Sequence, residues 1–225
     1  AESQHESQLL IRGTGRLAPV AERLARGFRP PRTSPVTYLR DLGVLDRAIA
    51  VHCVQVTGDE TEMLATRARG VVLCPRSNRY LHNGAPPVSS LHALGADMAI
   101  GTDSAASNDT IDLFAEARAL SELDPDLADK RLLAMLTLEG ARVLGVDDLF
   151  GSLEVGKQAD FAIIVSEPTE DPVASVVRSG SPERVRAVMT AGTWRVLDGQ
   201  PVIVTTRIAH EAAVVTEKAV RALAG

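Results

Sequence analysis

The sequence has 225 residues with five histidines and 29 acidic side chains, and only a few of these stand where chemistry would need them. His52 interrupts the apolar run of residues 48–54, and Asp103 follows the apolar run of residues 96–102. If both runs are strands of one parallel sheet, the imidazole and the carboxylate leave it at the same end, where they could share a metal ion or move a proton. Spacing alone leaves plainer readings open. A histidine in an apolar strand is ordinarily a satisfied core residue, and Asp103, heading Asp-Ser-Ala-Ala-Ser-Asn, could cap a helix or close a turn. Glu2 reads equally well as an exposed first-turn acid favoured by the helix dipole.

The elements around these residues alternate. Ser3 and Glu6 have the spacing of a capping box, so a helix is expected over residues 3–11. The stretch Arg29-Pro30-Pro31-Arg32-Thr33-Ser34-Pro35 must be a loop, since each proline removes a donor and fixes its own φ. A short helix over 36–42 should end at Gly43. Residues 48–54 predict a strand buried on both faces, followed by a helix over 59–69. A second strand is expected over 70–75, a loop over 76–87 and a helix over 88–94. A third strand over 96–102 precedes a helix over 110–120. Three successive strand–loop–helix units imply parallel strands with crossover helices, which puts the chemistry at the C-terminal strand ends.

A helix over 132–144 follows, and the texture changes at Gly151. Short β segments are expected over 161–165, 185–191 and 193–197, with a turn at Asp198-Gly199. Residues 207–223 return to helical spacing. The fold class is therefore α/β: residues 1–150 form one unit, 151–206 a small β domain and 207–225 a C-terminal helix.

Composition narrows the function classes. A hydrophobic fraction of 45% supports a buried core, and the net charge of −5 opposes general affinity for nucleic acid or acidic membranes, which need a basic field. A small-molecule partner is favoured. Cys53 and Cys74, the two cysteines present, are too few for a disulfide framework and read as buried thiols in a reducing cytoplasm. No membrane-spanning run or signal peptide is visible. The opening on Ala1-Glu2-Ser3 without a methionine is expected to lie inside a larger protein.

Three motifs, taken in order, carry a resemblance: Val51-His52-Cys53-Val54, then Leu73-Cys74-Pro75-Arg76-Ser77-Asn78, then Gly101-Thr102-Asp103-Ser104-Ala105-Ala106-Ser107-Asn108. Together they resemble the last three barrel strands of the chlorohydrolase and nucleoside-deaminase branch of the amidohydrolase superfamily. Leu138-Glu139-Gly140-Ala141 and residues 151–160 look like that family's return from barrel to β-sandwich. The resemblance implies the second half of a (β/α)8 TIM-type metal-dependent hydrolase barrel plus part of a small β-sandwich domain.

It also implies roles. Ala1-Glu2-Ser3 matches the end of the family's His-x-x-Glu motif, so Glu2 carries over as the proton shuttle, with the histidine just before the first residue. Asp103 is the implied metal ligand and acceptor of the water's proton, and His52 contacts the attacking hydroxide and the tetrahedral intermediate. Ser77 and Asn78, on the loop after the second strand, are placed to hydrogen-bond substrate, with structural turn capping an equal reading. The cofactor is one divalent metal, zinc by expectation and iron as the alternative. A single carboxylate cannot hold a catalytic zinc, so the first half of the barrel is required as well. Gln55 departs from the pattern, where many relatives carry a second histidine, and this bears on substrate contacts.

The implied reaction is hydrolytic deamination of an amino-substituted heteroaromatic ring, with a homodimer compatible. Ser34-Pro35-Val36-Thr37-Tyr38-Leu39 and Leu42-Gly43-Val44-Leu45 resemble the aminodeoxyfutalosine deaminases of menaquinone biosynthesis. Methylthioadenosine and S-adenosylhomocysteine deaminases share nearly all the same motifs. Hydrolysis of a cyclic amide or chlorotriazine, and a non-catalytic binding barrel, are the alternatives. His5, His82, His92 and His210 lack such a motif context: His92 and His210 are expected on helix surfaces, and for His82, in the loop after the second strand, substrate contact is the minority reading.

Overall fold

The helices after the first and third predicted strands start at side-chain caps, and a proline opens the helix after the second. The computed structural model describes residues 1–25, 27–202 and 215. Ser3 caps α1 (Gln4–Ser7) through the expected reciprocal box with Glu6, and the helix continues as a π-wound turn, Gln8–Arg12. A helix that the sequence reading did not anticipate, α2 (Ala18–Leu24), follows, with Pro19 in its first turn. The proline-rich stretch is a loop as far as Ser34, which caps α3 (Pro35–Asp41), so the expected loop's last residue, Pro35, opens the helix instead; the chain turns just beyond it at Gly43, which takes φ 70°.

The first strand is shorter and more open than expected. β1 (Ile49–Val51) is an edge strand among the described residues, with Ile49 37% and Val51 48% exposed. It stops because His52 and Cys53 both take positive φ, 66° and 53°. A second capping box, Thr57 with Glu60, starts α4 (Gly58–Arg67). β2 (Gly70–Leu73) then pairs in parallel with β1, Ile49 opposite Gly70.

The loop expected over 76–87 begins instead as a helix, α5 (Pro75–Tyr80). Pro75 occupies the first helical position, where its missing N–H costs nothing and its fixed φ is already helical. α6 (Val88–Ala93) and β3 (Met98–Ile100) complete the third unit, with β3 parallel to β2 and Val71 opposite Met98. The helix expected over 110–120 is displaced to α7 (Leu113–Leu123), because the Asp112 carboxylate caps the amides of Phe114 and Ala115. The helix expected over 132–144 is two, α8 (Asp129–Leu136) and α9 (Leu138–Leu144), broken at Thr137 (φ −132°, ψ −99°).

The core lies between the parallel sheet and its helices. Val71, Leu73, Val88, Leu91, Met98, Leu120 and Leu132 are fully buried, each contributing about 1.5–3 kcal/mol of transfer free energy. α9 crosses the start of β2 so closely that a Cβ on Gly70 would lie 2.5 Å from Val143 Cγ2.

Beyond Gly151 the chain forms an antiparallel sheet in the order β4 (Phe161–Ile164), β5 (Val185–Thr190), β6 (Thr193–Leu197), β7 (Gln200–Pro201). The expected β segments are thus present. Between β4 and β5 lies α10 (Pro172–Ser179), which the sequence reading missed and which packs on α7 and α8. The helix expected over 207–223 lies, apart from residue 215, outside the described residues. No helix among the described residues is long and apolar enough to cross a membrane.

Candidate active site

Three side chains that lie far apart in sequence meet at the C-terminal end of the parallel sheet. Glu2 precedes α1, His52 follows β1 and Asp103 lies just beyond β3; their ligand atoms all fall within 4.8 Å of one another. Two of the three sit on strained backbone. His52 has φ 66° while Cys53 N donates to Val51 O at 2.8 Å, which makes His52 the centre of a γ-turn of the rare hand. Asp103 has φ 58°. Left-handed conformations of this kind cost energy in a non-glycine residue and persist where the surroundings hold them, so the ends of β1 and β3 are shaped for their side chains.

The second strand supplies the support. Ser77 and Asn78, on α5, are fully buried and direct their side chains at the cluster itself. The Ser77 hydroxyl donates to Asp103 Oδ2 at 2.8 Å, and Ser107 donates to the same oxygen at 2.6 Å. Asn78 Nδ2 lies 3.2 Å from His52 Nδ1 and 3.4 Å from Glu2 Oε1. His52 Nε2 faces Glu2 Oε2 at 3.8 Å.

These contacts set the electrostatics. The Ser107 hydroxyl, with Ser77 and the nearby His52, holds the Asp103 carboxyl below the usual carboxylate range against an opposing effect of desolvation. Both cysteines are buried as expected. Burial pushes Cys53 up to about 11, and burial with the charges of Asp103 and Glu116 pushes Cys74 up to about 12, so both remain thiols.

The donor set fits a divalent cation. Both hydroxyl donors to Asp103 go to Oδ2, which leaves Oδ1 without a side-chain donor among the described residues.

Sequence reasoning missed four supporting residues. Asn83 Nδ2 donates to Glu2 Oε1 at 2.8 Å, and Ser107 holds Asp103. Glu116, fully buried on α7, accepts from Arg76 N at 3.0 Å and from Asn108 Nδ2 at 2.6 Å, while that same amide reaches Thr102 O at 2.9 Å. Burial raises the Glu116 pKa. The legible signal was an acid on the buried face of a helix, level with Ala117 and Leu120. Of the remaining histidines, His82 is exposed with φ 56°. His92, expected as a plain surface residue, instead meets the buried Asp124 through Nδ1 at 2.8 Å. His210 lies outside the described residues.

A carboxylate–imidazole cluster at the C-terminal ends of parallel strands, backed by buried hydroxyl and amide donors, defines an α/β protein whose strand ends carry groups able to hold a cation or move a proton. The chain belongs to the amidohydrolase family, whose sequence profile matches residues 23–195. It is 37% identical over 172 residues to a 5-methylthioadenosine/S-adenosylhomocysteine deaminase of Moorella thermoacetica, covering 71% of this chain and 40% of that protein. It is also 37% identical over 180 residues to a 5'-deoxyadenosine deaminase of Methanothermobacter thermautotrophicus, covering 74% and 42%. Among solved structures it resembles a zinc-bound adenosine deaminase from Xanthomonas campestris, with TM-score 0.76 and 31% identity over 90% of this chain and 48% of that one. The chain thus spans less than half the length of the relatives it matches.

Proposed function

We propose that this chain is the C-terminal part of a metal-dependent aminohydrolase that removes the ring amino group of an adenine nucleoside. The observation that carries the reading is the convergence of Glu2, His52 and Asp103 within 4.8 Å at one sheet end. The deaminase names of the two curated relatives support the same reaction. In this reading residues 1–150 contribute to the family's barrel and 151–206 to its β-sandwich, and the enzyme acts in the cytoplasm. The metal would be held by Asp103 with further ligands from protein outside these residues, because a catalytic zinc takes three or more.

When bound, the metal supplies Lewis acidity that makes hydroxide available from water near neutral pH. Asp103 takes the proton of the attacking water. Glu2 gives a proton to the ring nitrogen as the hydroxide oxygen adds to the amino-bearing carbon, and regains one from that hydroxyl as the carbonyl forms. Asp103 returns its proton to the departing amine, so ammonia leaves and both acids are restored. His52 donates from Nε2 to the oxygen of the tetrahedral intermediate. Ser77 and Asn78 act here by holding Asp103, His52 and Glu2, in keeping with their complete burial.

The named relatives favour adenine nucleosides such as methylthioadenosine, S-adenosylhomocysteine and 5'-deoxyadenosine over other amines. Aminodeoxyfutalosine, the substrate anticipated from the sequence, belongs in the same panel. The test is ammonia release by the full-length, metal-loaded protein from these nucleosides, adenosine, guanine and a cyclic amide, with Asp103→Asn as control. Release from an adenine nucleoside that the control lacks supports the reading; release only from the cyclic amide, or silence with metal bound, overturns it.

A further inference from the structure

We propose that Asn83 is a positioning residue for Glu2, and that it assigns the proton-carrying role to Glu2 Oε2. The inference rests on the reading of Glu2 as the acid that serves the ring nitrogen. Asn83 Nδ2 donates to Oε1 at 2.8 Å, and Asn78 Nδ2 approaches the same oxygen at 3.4 Å. Oε2 instead faces His52 Nε2 at 3.8 Å, beyond hydrogen-bond range. Two amide donors on one oxygen make the carboxylate asymmetric. Oε1 has its lone pairs occupied, whereas Oε2 accepts from no donor among the described residues, keeps its lone pairs for a proton and points toward the imidazole and the reaction space.

Asn83 is itself held. Its N–H donates to Asn78 O at 2.9 Å, and its carbonyl accepts from Gln55 Nε2 at 3.0 Å. Gln55 N donates to Ala1 O at 3.1 Å, beside Glu2. The loop after β1, the loop after α5 and the segment before α1 are thereby tied into one ring of contacts that closes on the Glu2 carboxylate. Gln55, anticipated from its sequence position to bear on substrate, is spent on Asn83. During turnover Oε2 gives its proton to the ring nitrogen as the carbon–oxygen bond forms. It takes the hydroxyl proton back as the carbon–nitrogen bond to ammonia breaks, and Oε1 stays bonded to Asn83 throughout.

The experiment is a double-mutant cycle on the full-length, metal-loaded enzyme, using whichever nucleoside of the panel above is turned over fastest. Wild type, Asn83→Ala, Glu2→Gln and the double variant are compared in kcat, KM and metal content. Asn83→Ala should lower kcat by about 10- to 100-fold with KM and metal content unchanged, the range found for residues that orient reacting groups. Added to Glu2→Gln, it should cost nothing further, because a residue acting through Glu2 has nothing left to position. The near-isosteric Asn83→Asp, which removes the donor at constant volume, should lose at least as much if the alanine variant folds poorly. Unchanged kcat in both Asn83 variants, or an equal further loss in the Glu2→Gln background, overturns this inference and leaves the acid role of Glu2 standing. Full activity of Glu2→Gln, or silence across the panel, overturns the acid role and the inference with it.

Discussion

Asn78 Nδ2 lies 3.2 Å from His52 Nδ1, and the neighbouring Glu2 Oε1 at 3.4 Å decides which way that amide faces. A carbonyl turned toward a carboxylate would be repelled, so the NH2 group points at both. Nδ1 must then accept, which leaves the single proton of neutral His52 on Nε2, facing Glu2 Oε2 and the reaction space. Asn78→Asp replaces that donor with an acceptor and draws the proton to Nδ1. The variant should keep its metal and lose about 10- to 100-fold in kcat. Steady-state rates check the loss, and nitrogen NMR of His52 checks the tautomer.

Two hydroxyls on one oxygen make Asp103 a stronger acid than an ordinary carboxyl, with Ser107 the larger influence. The sign follows from linkage: a depressed folded-state pKa gives a contribution present above the unfolded value and lost as pH falls through the folded one. Ser107→Ala raises that folded pKa. Since a carboxylate ligand must be deprotonated, the variant should release metal at a higher pH than wild type when both are titrated downward. Ser77→Ala should shift release in the same direction by less. Metal content measured across an acid titration decides it, and identical release curves would remove the hydroxyls from the account.

How much of this was readable depends on distance along the chain. Local signals located both the Ser3 box and the Gly43 stop, because a cap is a contact between residues three or four apart. The three strands were visible as apolar runs, and from them the meeting of His52 with Asp103. The exposure of β1 was not, because an apolar run carries no record of which neighbours cover it. α5 was missed because Pro75 was read as a strand end, although proline serves equally well to open a helix. The supports of the site were hidden for a different reason. Asn83 reaches Glu2 across 81 positions and Glu116 reaches Arg76 across 40, and neither pairing has a periodic signature.

Packing between α9 and the parallel sheet gives a stability test that leaves the site untouched. A Cβ on Gly70 would meet Val143 Cγ2 at 2.5 Å and the Asp97 carbonyl at 3.1 Å, in a buried position. Gly70→Ala should destabilise by about 1–3 kcal/mol, the usual cost of overpacking. The Val143→Ala change should restore part of that loss by vacating the space. Urea denaturation of the single and double variants measures the coupling, and simple additivity would show that the clash is relieved elsewhere.

Glu116 offers the sharpest stability prediction, because its two oxygens serve two different loops. Oε2 accepts the Arg76 amide at the start of the helix bearing Ser77 and Asn78, and Oε1 accepts Asn108, which also holds the Thr102 carbonyl beside Asp103. Glu116→Gln keeps the shape but offers one acceptor for two donors, so one N–H is left opposite another. The loss at neutral pH should be about 1–3 kcal/mol, the cost of an unsatisfied buried group. The pH dependence runs opposite to that of Asp103. Desolvation raises the folded-state pKa of Glu116 above its ordinary 4.5, so its favourable contribution is complete below that value and is lost as pH rises through the folded pKa. The gap between wild type and Glu116→Gln should therefore widen as pH is lowered from neutral toward 4.5. Denaturation midpoints at several pH values test this; a gap that narrows on acidification would mean that the carboxylate form alone ties the two loops together.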